Sequence, residues 1–134
     1  MWLFTTTGFY SIVQKPGETR LTVRTRVRSD LDRLRKKYMP ELSETFVDVG
    51  TDYRYRAFVD HAAFGRGLAR VAEALHYSNF KGEVARSQSA RRAATYSTAW
   101  TALWDLLKED DDEEKERSAA KTRAVRRLTR ATRG

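Results

Sequence analysis

Residues 20–28 read Arg20-Leu21-Thr22-Val23-Arg24-Thr25-Arg26-Val27-Arg28, with arginine at four of the five even positions. Side chains along a β-strand point alternately to opposite faces, so Leu21, Val23, Thr25 and Val27 are expected on one face and Arg20, Arg24, Arg26 and Arg28 on the other. One face reads as core and the other as a row of cations. Tyr53-Arg54-Tyr55-Arg56-Ala57-Phe58-Val59 alternates in the same way. If the two strands share a sheet, Arg54 and Arg56 join the guanidinium surface beside Phe58. A solvated strand face usually mixes lysine, glutamate and threonine. Four arginines without an acid point instead to an anionic ligand, since guanidinium groups bond phosphate oxygens bidentately and stack on bases.

Working outward, Trp2 to Val13 is rich in aromatic and β-branched residues and reads as one strand that bulges or bends at Gly8. Gln14-Lys15-Pro16-Gly17-Glu18 supplies turn chemistry between it and the arginine strand. Ser29 stands where an N-cap belongs, with Asp30 and Asp32 in the first turn and Leu31, Leu34 and Tyr38 at helical spacing, and Pro40 ends that helix. A third strand is expected over residues 44–49, a turn at Gly50-Thr51-Asp52, and then the fourth strand. Asp60 caps a second helix carrying Phe64, Leu68, Val71 and Leu75. The order ββαββα predicts an α+β two-layer sandwich, with two helices on one face of a four-stranded antiparallel sheet and the other face free.

Tyr77-Ser78-Asn79-Phe80-Lys81 reads as a joint, after which the pattern is helical to Lys108, with Tyr96, Trp100, Leu103, Trp104 and Leu107 forming a stripe. A continuous helix of that length is about 40 Å long and overhangs a small domain, where it can meet a partner. Residues 1–108 are therefore expected to form one domain ending in a long helix. Residues 109–116 hold seven acids and one lysine, whereas residues 117–134 hold Arg117, Lys121, Arg123, Arg126, Arg127, Arg130 and Arg133 and no acid. With few large apolar residues, this tail reads as a flexible arm, although Val125 and Leu128 can support a marginal basic helix.

The net charge of the 134 residues is +8, and most of it belongs to residues 1–108 rather than the tail. Such a field attracts polyanions, of which nucleic acid is the commonest inside cells; solubility by charge is the simpler alternative. Cysteine is absent, which excludes disulfides, thiolate metal sites and a cysteine nucleophile. The start, Met1-Trp2-Leu3-Phe4-Thr5-Thr6-Thr7-Gly8, has no basic region before its apolar residues, and no run approaches the roughly 20 apolar residues of a membrane span. The expectation is a soluble, cytoplasmic protein without a membrane partner.

No motif for catalysis stands out, and neither a cofactor nor a metal is implied. His61 and His76 lack ligand-like spacing, and Asp48, Asp52 and Asp60 sit where turns and caps need aspartate. A hydrolase or nuclease using these aspartates with His61 is the third-ranked reading. Gly65-Arg66-Gly67 does not extend to a phosphate-binding fingerprint and is better explained by close helix packing.

Three blocks resemble a family of small uncharacterised bacterial and phage proteins, a domain of unknown function. They are Met1-Trp2-Leu3-Phe4-Thr5 with Gly8-Phe9 and Ser11, Asp52-Tyr53-Arg54-Tyr55-Arg56-Ala57, and Tyr77-Ser78-Asn79-Phe80-Lys81 with Tyr96 and Trp100. The resemblance covers roughly residues 1–107, brings no activity with it, and implies a compact domain in which Arg54, Arg56, Asn79 and Lys81 share a site.

These features together favour a small non-enzymatic protein that binds RNA or DNA. Arg20, Arg24, Arg26, Arg28, Arg54, Arg56 and Lys81 would contact the backbone, Phe58 would stack on a base, and the basic tail would add sequence-independent attraction. The runner-up is a regulatory module, of phage or host, whose aromatic helix docks on a protein partner or a second copy, with the acidic run able to lie over the basic face.

Overall fold

Thr5 turns the chain back on itself. Its hydroxyl accepts hydrogen bonds from the Thr7 and Gly8 amides at 3.1 and 3.2 Å, and the Thr5 amide donates to the Gly8 carbonyl at 2.9 Å. A tight turn thus separates β1 (Trp2–Phe4) from β2 (Phe9–Gln14). The single strand expected over Trp2–Val13 is an antiparallel hairpin, with Trp2 opposite Ser11 and Phe4 opposite Phe9. The structure, a computed structural model, describes the backbone of residues 1–131 and the side chains of residues 1–128.

The arginine-rich strand β3 (Leu21–Thr25) stops short of its expected end. Thr25 Oγ1 accepts from the Val27 amide at 3.4 Å and the Asp30 amide donates to the Val27 carbonyl at 3.0 Å, so the chain enters α1 (Arg28–Lys37) with Val27, not Ser29, at the N-cap. Arg28 is therefore the first residue of a helix and not part of the sheet. The strand expected at 44–49 shrinks to β4 (Phe46–Val47), and β5 (Tyr55–Val59) leads into α2 (His61–Glu73). Asp60 does cap α2, its carboxylate accepting from the Ala63 amide at 2.7 Å. Asp60→Ala is expected to cost about 1 kcal/mol, measurable by urea denaturation.

The fold is α+β, and its sheet has five antiparallel strands rather than four, in the order β1-β2-β3-β5-β4. Tyr10, Ile12, Val23, Ala57 and Val59 face inward and pack with Leu31 and Leu34 of α1 and with Ala63 and Phe64 of α2. Each fully buried aliphatic side chain contributes about 1.5–3 kcal/mol. The packing explanation for Gly65-Arg66-Gly67 holds for Gly67, where a Cβ would overlap the Met39 side chain, and not for Gly65, which faces open space.

Asp30 is the internal anchor of this layer. Its side chain is 1 % exposed and accepts from Arg33 at 2.6 Å, from Arg92 at 2.8 and 3.2 Å, and from the Phe9 amide at 3.1 Å. Glycine is required at position 8 because a Cβ there would come within 2.5 Å of the Asp30 side chain. Arg92 brings in the segment after the sandwich: Gln88 Nε2 also donates to the Thr6 carbonyl at 2.7 Å.

The long helix expected from Phe80 to Lys108 is three helices: α3 (Phe80–Ser87), α4 (Ala90–Ala102) and α5 (Asp105–Ala131). The first break is local competition for carbonyls. The Gln88 and Ser89 amides both bond to the Val84 carbonyl, and Ser89 Oγ accepts from the Arg92 amide at 3.1 Å, restarting the helix. The second break is a turn at Leu103-Trp104. Residues 109–131, read from sequence as part of a flexible arm, continue α5. Acids fill its first half and bases its second, as the helix dipole favours, and Lys108–Asp105, Lys115–Asp112 and Arg117–Glu113 pair along it. The chain divides into two compact units, Met1–Ala93 and Ala94–Gly134, so the boundary expected at residue 108 falls inside α5.

Candidate nucleic-acid interface

Strand register places one residue from each strand on a single rung of the sheet's outer face. Trp2 lies opposite Ser11, Ser11 opposite Arg24, Arg24 opposite Arg56, and Arg56 opposite Phe46. Directly opposed residues share a face. The rung thus reads aromatic, serine, arginine, arginine, aromatic, across about 19 Å at about 4.8 Å per strand. Both ends are open, with Trp2 69 % and Phe46 57 % exposed.

Aromatic rings and guanidinium groups tile the surface around this rung. Trp2 meets Phe9 edge to face at 5.8 Å, Phe4 lies 4.5 Å from Phe9, and Phe9 lies 6.4 Å from Tyr53. The Arg24 and Arg26 guanidiniums lie 4.9 and 4.8 Å from the Tyr53 ring centre, and Arg20 lies 4.9 Å from that of Phe58. These cation–π contacts hold the side chains flat against the sheet. Arg24 also donates to Ser11 Oγ at 2.7 Å, while its Nε and Thr22 Oγ1 are buried without a hydrogen-bond partner among the described residues.

The arginines expected to act alike are in different states. Arg56 is 8 % exposed, pairs with Asp48 at 3.5 Å and donates to Thr51 Oγ1 and the Tyr53 carbonyl, so it clamps the β4–β5 loop. Arg26 is exposed but pairs with Asp52 at 3.3 Å. Arg20, Arg24 and Arg54 have no carboxylate partner among the described residues, and Arg54 stands exposed in the loop just before β5. Arg28 opens α1, off the face. Phe58 is half-buried and covered by Arg20, so Trp2 and Phe46 are the open platforms.

Lys81 is carried by a helix and not by a strand, exposed in the first turn of α3, where the Asn79 side chain caps the helix by accepting from the Gly82 amide at 3.0 Å. Nearby, Arg86 hydrogen-bonds Glu83 and holds its carboxyl below the usual range. A cleft of about 280 Å³ lies between Leu3, Thr5, Tyr38, Val71 and Tyr77, and burial pushes the Tyr77 phenol above its ordinary value. In the tail, Arg117, Lys121, Arg123, Arg126 and Arg127 lie along α5; the side chain of Arg130 and all of Arg133 fall outside the described residues.

No family model matches the chain, and neither a curated protein nor a solved structure matches it. Two sequence blocks, residues 1–11 and 52–57, meet on the outer face of the sheet. Trp2, Phe9, Ser11 and Tyr53 all belong to the outer face, with Arg56 on its central rung.

Among the described residues no three histidine, aspartate or glutamate side chains gather as a metal site. His61 opens α2 and His76 lies three residues past its end; both are exposed, and the His76 ring lies 2.8 Å from the Ala74 carbonyl. No helix among the described residues is long and apolar enough to cross a membrane. Sequence reading missed Trp2, Phe46 and Tyr53 as parts of the face. The signal for Trp2 was its parity with Phe4, hidden by reading β1 and β2 as one strand.

Proposed function

We propose that this protein binds single-stranded nucleic acid on the outer face of its sheet and does so without catalysis. The observation that carries this reading is the five-strand rung with an open aromatic ring at each end and guanidinium groups between and beside them. Unpaired bases stack on aromatic rings, and arginine bonds the phosphates between them. A duplex hides its base faces and would engage only the cations. The basic half of α5 adds attraction that is indifferent to sequence.

The test is titration of labelled single-stranded RNA, single-stranded DNA and duplex DNA with the full chain over a range of salt. Single strands are expected to bind more tightly than duplex. Reversing the two exposed arginines of the face that have no carboxylate partner among the described residues, Arg20→Glu with Arg54→Glu, is expected to weaken binding and flatten the dependence of log K on log salt by about 0.7 per lost phosphate contact. Unchanged affinity and slope in a folded double variant would remove the face as the site.

A second reading rests on Trp100 and Trp104. They are 51 % and 53 % exposed and pack edge to face at 5.5 Å, an apolar patch suited to a protein partner or a second copy.

A further inference from the structure

Starting at Leu103 and stepping alternately by four and three, the sequence reads Leu103, Leu107, Asp110, Glu114, Arg117, Lys121, Ala124 and Leu128. On an α-helix this stepping draws one stripe, the seam along which two helices pack as a coiled coil. Leu103 lies in the turn before α5, and the other seven lie on α5. The stripe is apolar at both ends, where Leu103, Leu107 and Leu128 are 58 %, 57 % and 68 % exposed. Its centre carries two acids followed by two bases.

That order is self-complementary in one orientation only. Two parallel copies would set Asp110 on Asp110 and Lys121 on Lys121. Two antiparallel copies related by a two-fold axis set Leu107 against Ala124, Asp110 against Lys121, Glu114 against Arg117 and Leu103 against Leu128, each contact made twice. The match of each charge half to the helix dipole accounts for the sign order within one helix. It does not account for apolar residues at both ends of the same stripe, in register with the charge inversion.

We propose that α5 pairs antiparallel with α5 of a second copy of this chain along this seam, forming a salt-sensitive homodimer. The proposal gives the self-association side of the second reading a defined surface and rests on it; it is independent of what the sheet face binds.

The test is sedimentation equilibrium of the nuclease-treated full chain at low and high salt. A dimer is expected at low salt, dissociating as salt screens the central charges. Lys121→Glu faces Asp110 with a like charge at both symmetric positions and is expected to weaken the dimer about tenfold or more. The pair Asp110→Lys with Lys121→Glu restores opposite signs and is expected to rescue it, whereas an effect of the helix dipole alone would worsen. Because the chain has no cysteine, orientation is read by mixing Glu114→Cys protein with Arg117→Cys protein. Disulfides between the two different variants are expected, and disulfides between identical ones would overturn the antiparallel seam. A dimer indifferent to the charge variants overturns the seam while leaving self-association to another surface. A monomer at every salt concentration overturns both.

Discussion

Replacing Asp30 with alanine is expected to be the most damaging single polar substitution in this protein. The change removes a carboxylate that is 1 % exposed and is the shared acceptor of Arg33, Arg92 and the Phe9 amide, while Arg33 keeps its bonds to the Thr7 carbonyl, Ser29 and Gln88. Breaking a buried ion pair from one side costs about 3–5 kcal/mol. Both guanidiniums reach some solvent, with Arg33 33 % and Arg92 19 % exposed, so the loss belongs near the lower end, about 3 kcal/mol. For a unit of this size, that lowers Tm by roughly 15 °C. Urea denaturation of the wild type, Asp30→Asn and Asp30→Ala should rank them in that order. A cost below about 1 kcal/mol for the alanine variant would show that water replaces the lost bonds and that the anchor is elsewhere.

Trp2→Ala is expected to have the largest effect on binding of any exposed residue. The indole stands 69 % exposed on an edge strand, so its removal should change stability little. Stacking on one aromatic ring is worth about 1–3 kcal/mol, so affinity for single-stranded RNA should fall roughly 5- to 150-fold. The salt slope should stay unchanged, since no cation is lost. This separates Trp2→Ala from the arginine reversals, which act on slope as well as affinity. An unchanged affinity by fluorescence anisotropy would show that the ring is not a platform.

Alternation carried much of this structure. The sequence 21–25 against 55–59 states its own pairing, since the inward set is apolar or threonine and the outward set holds the arginines. Asp60 announced α2 for the same local reason. The hairpin at Thr5–Gly8 was illegible because threonine side-chain bonds make the turn, and threonine is otherwise a strand residue. Asp30 looked like an ordinary first-turn acid, and its second arginine lies 62 residues away, where no local pattern reaches. Arg56 illustrates the limit for sites: parity placed it correctly on the outer face, but only the loop carrying Asp48 and Thr51 reveals that it serves the fold. The charged segment hid its helix because its stabilisation comes from sign order along the axis, which composition does not record.

The two edge strands of the sheet are short, β1 with three residues and β4 with two. Molecules gathered along one polyanion meet at local concentrations far above those in bulk, conditions under which an open strand edge invites another chain to extend it. Edges this short offer almost no backbone to copy. On the proposed reading, copies gathered on one strand of nucleic acid would offer one another almost no edge to extend into a fibril.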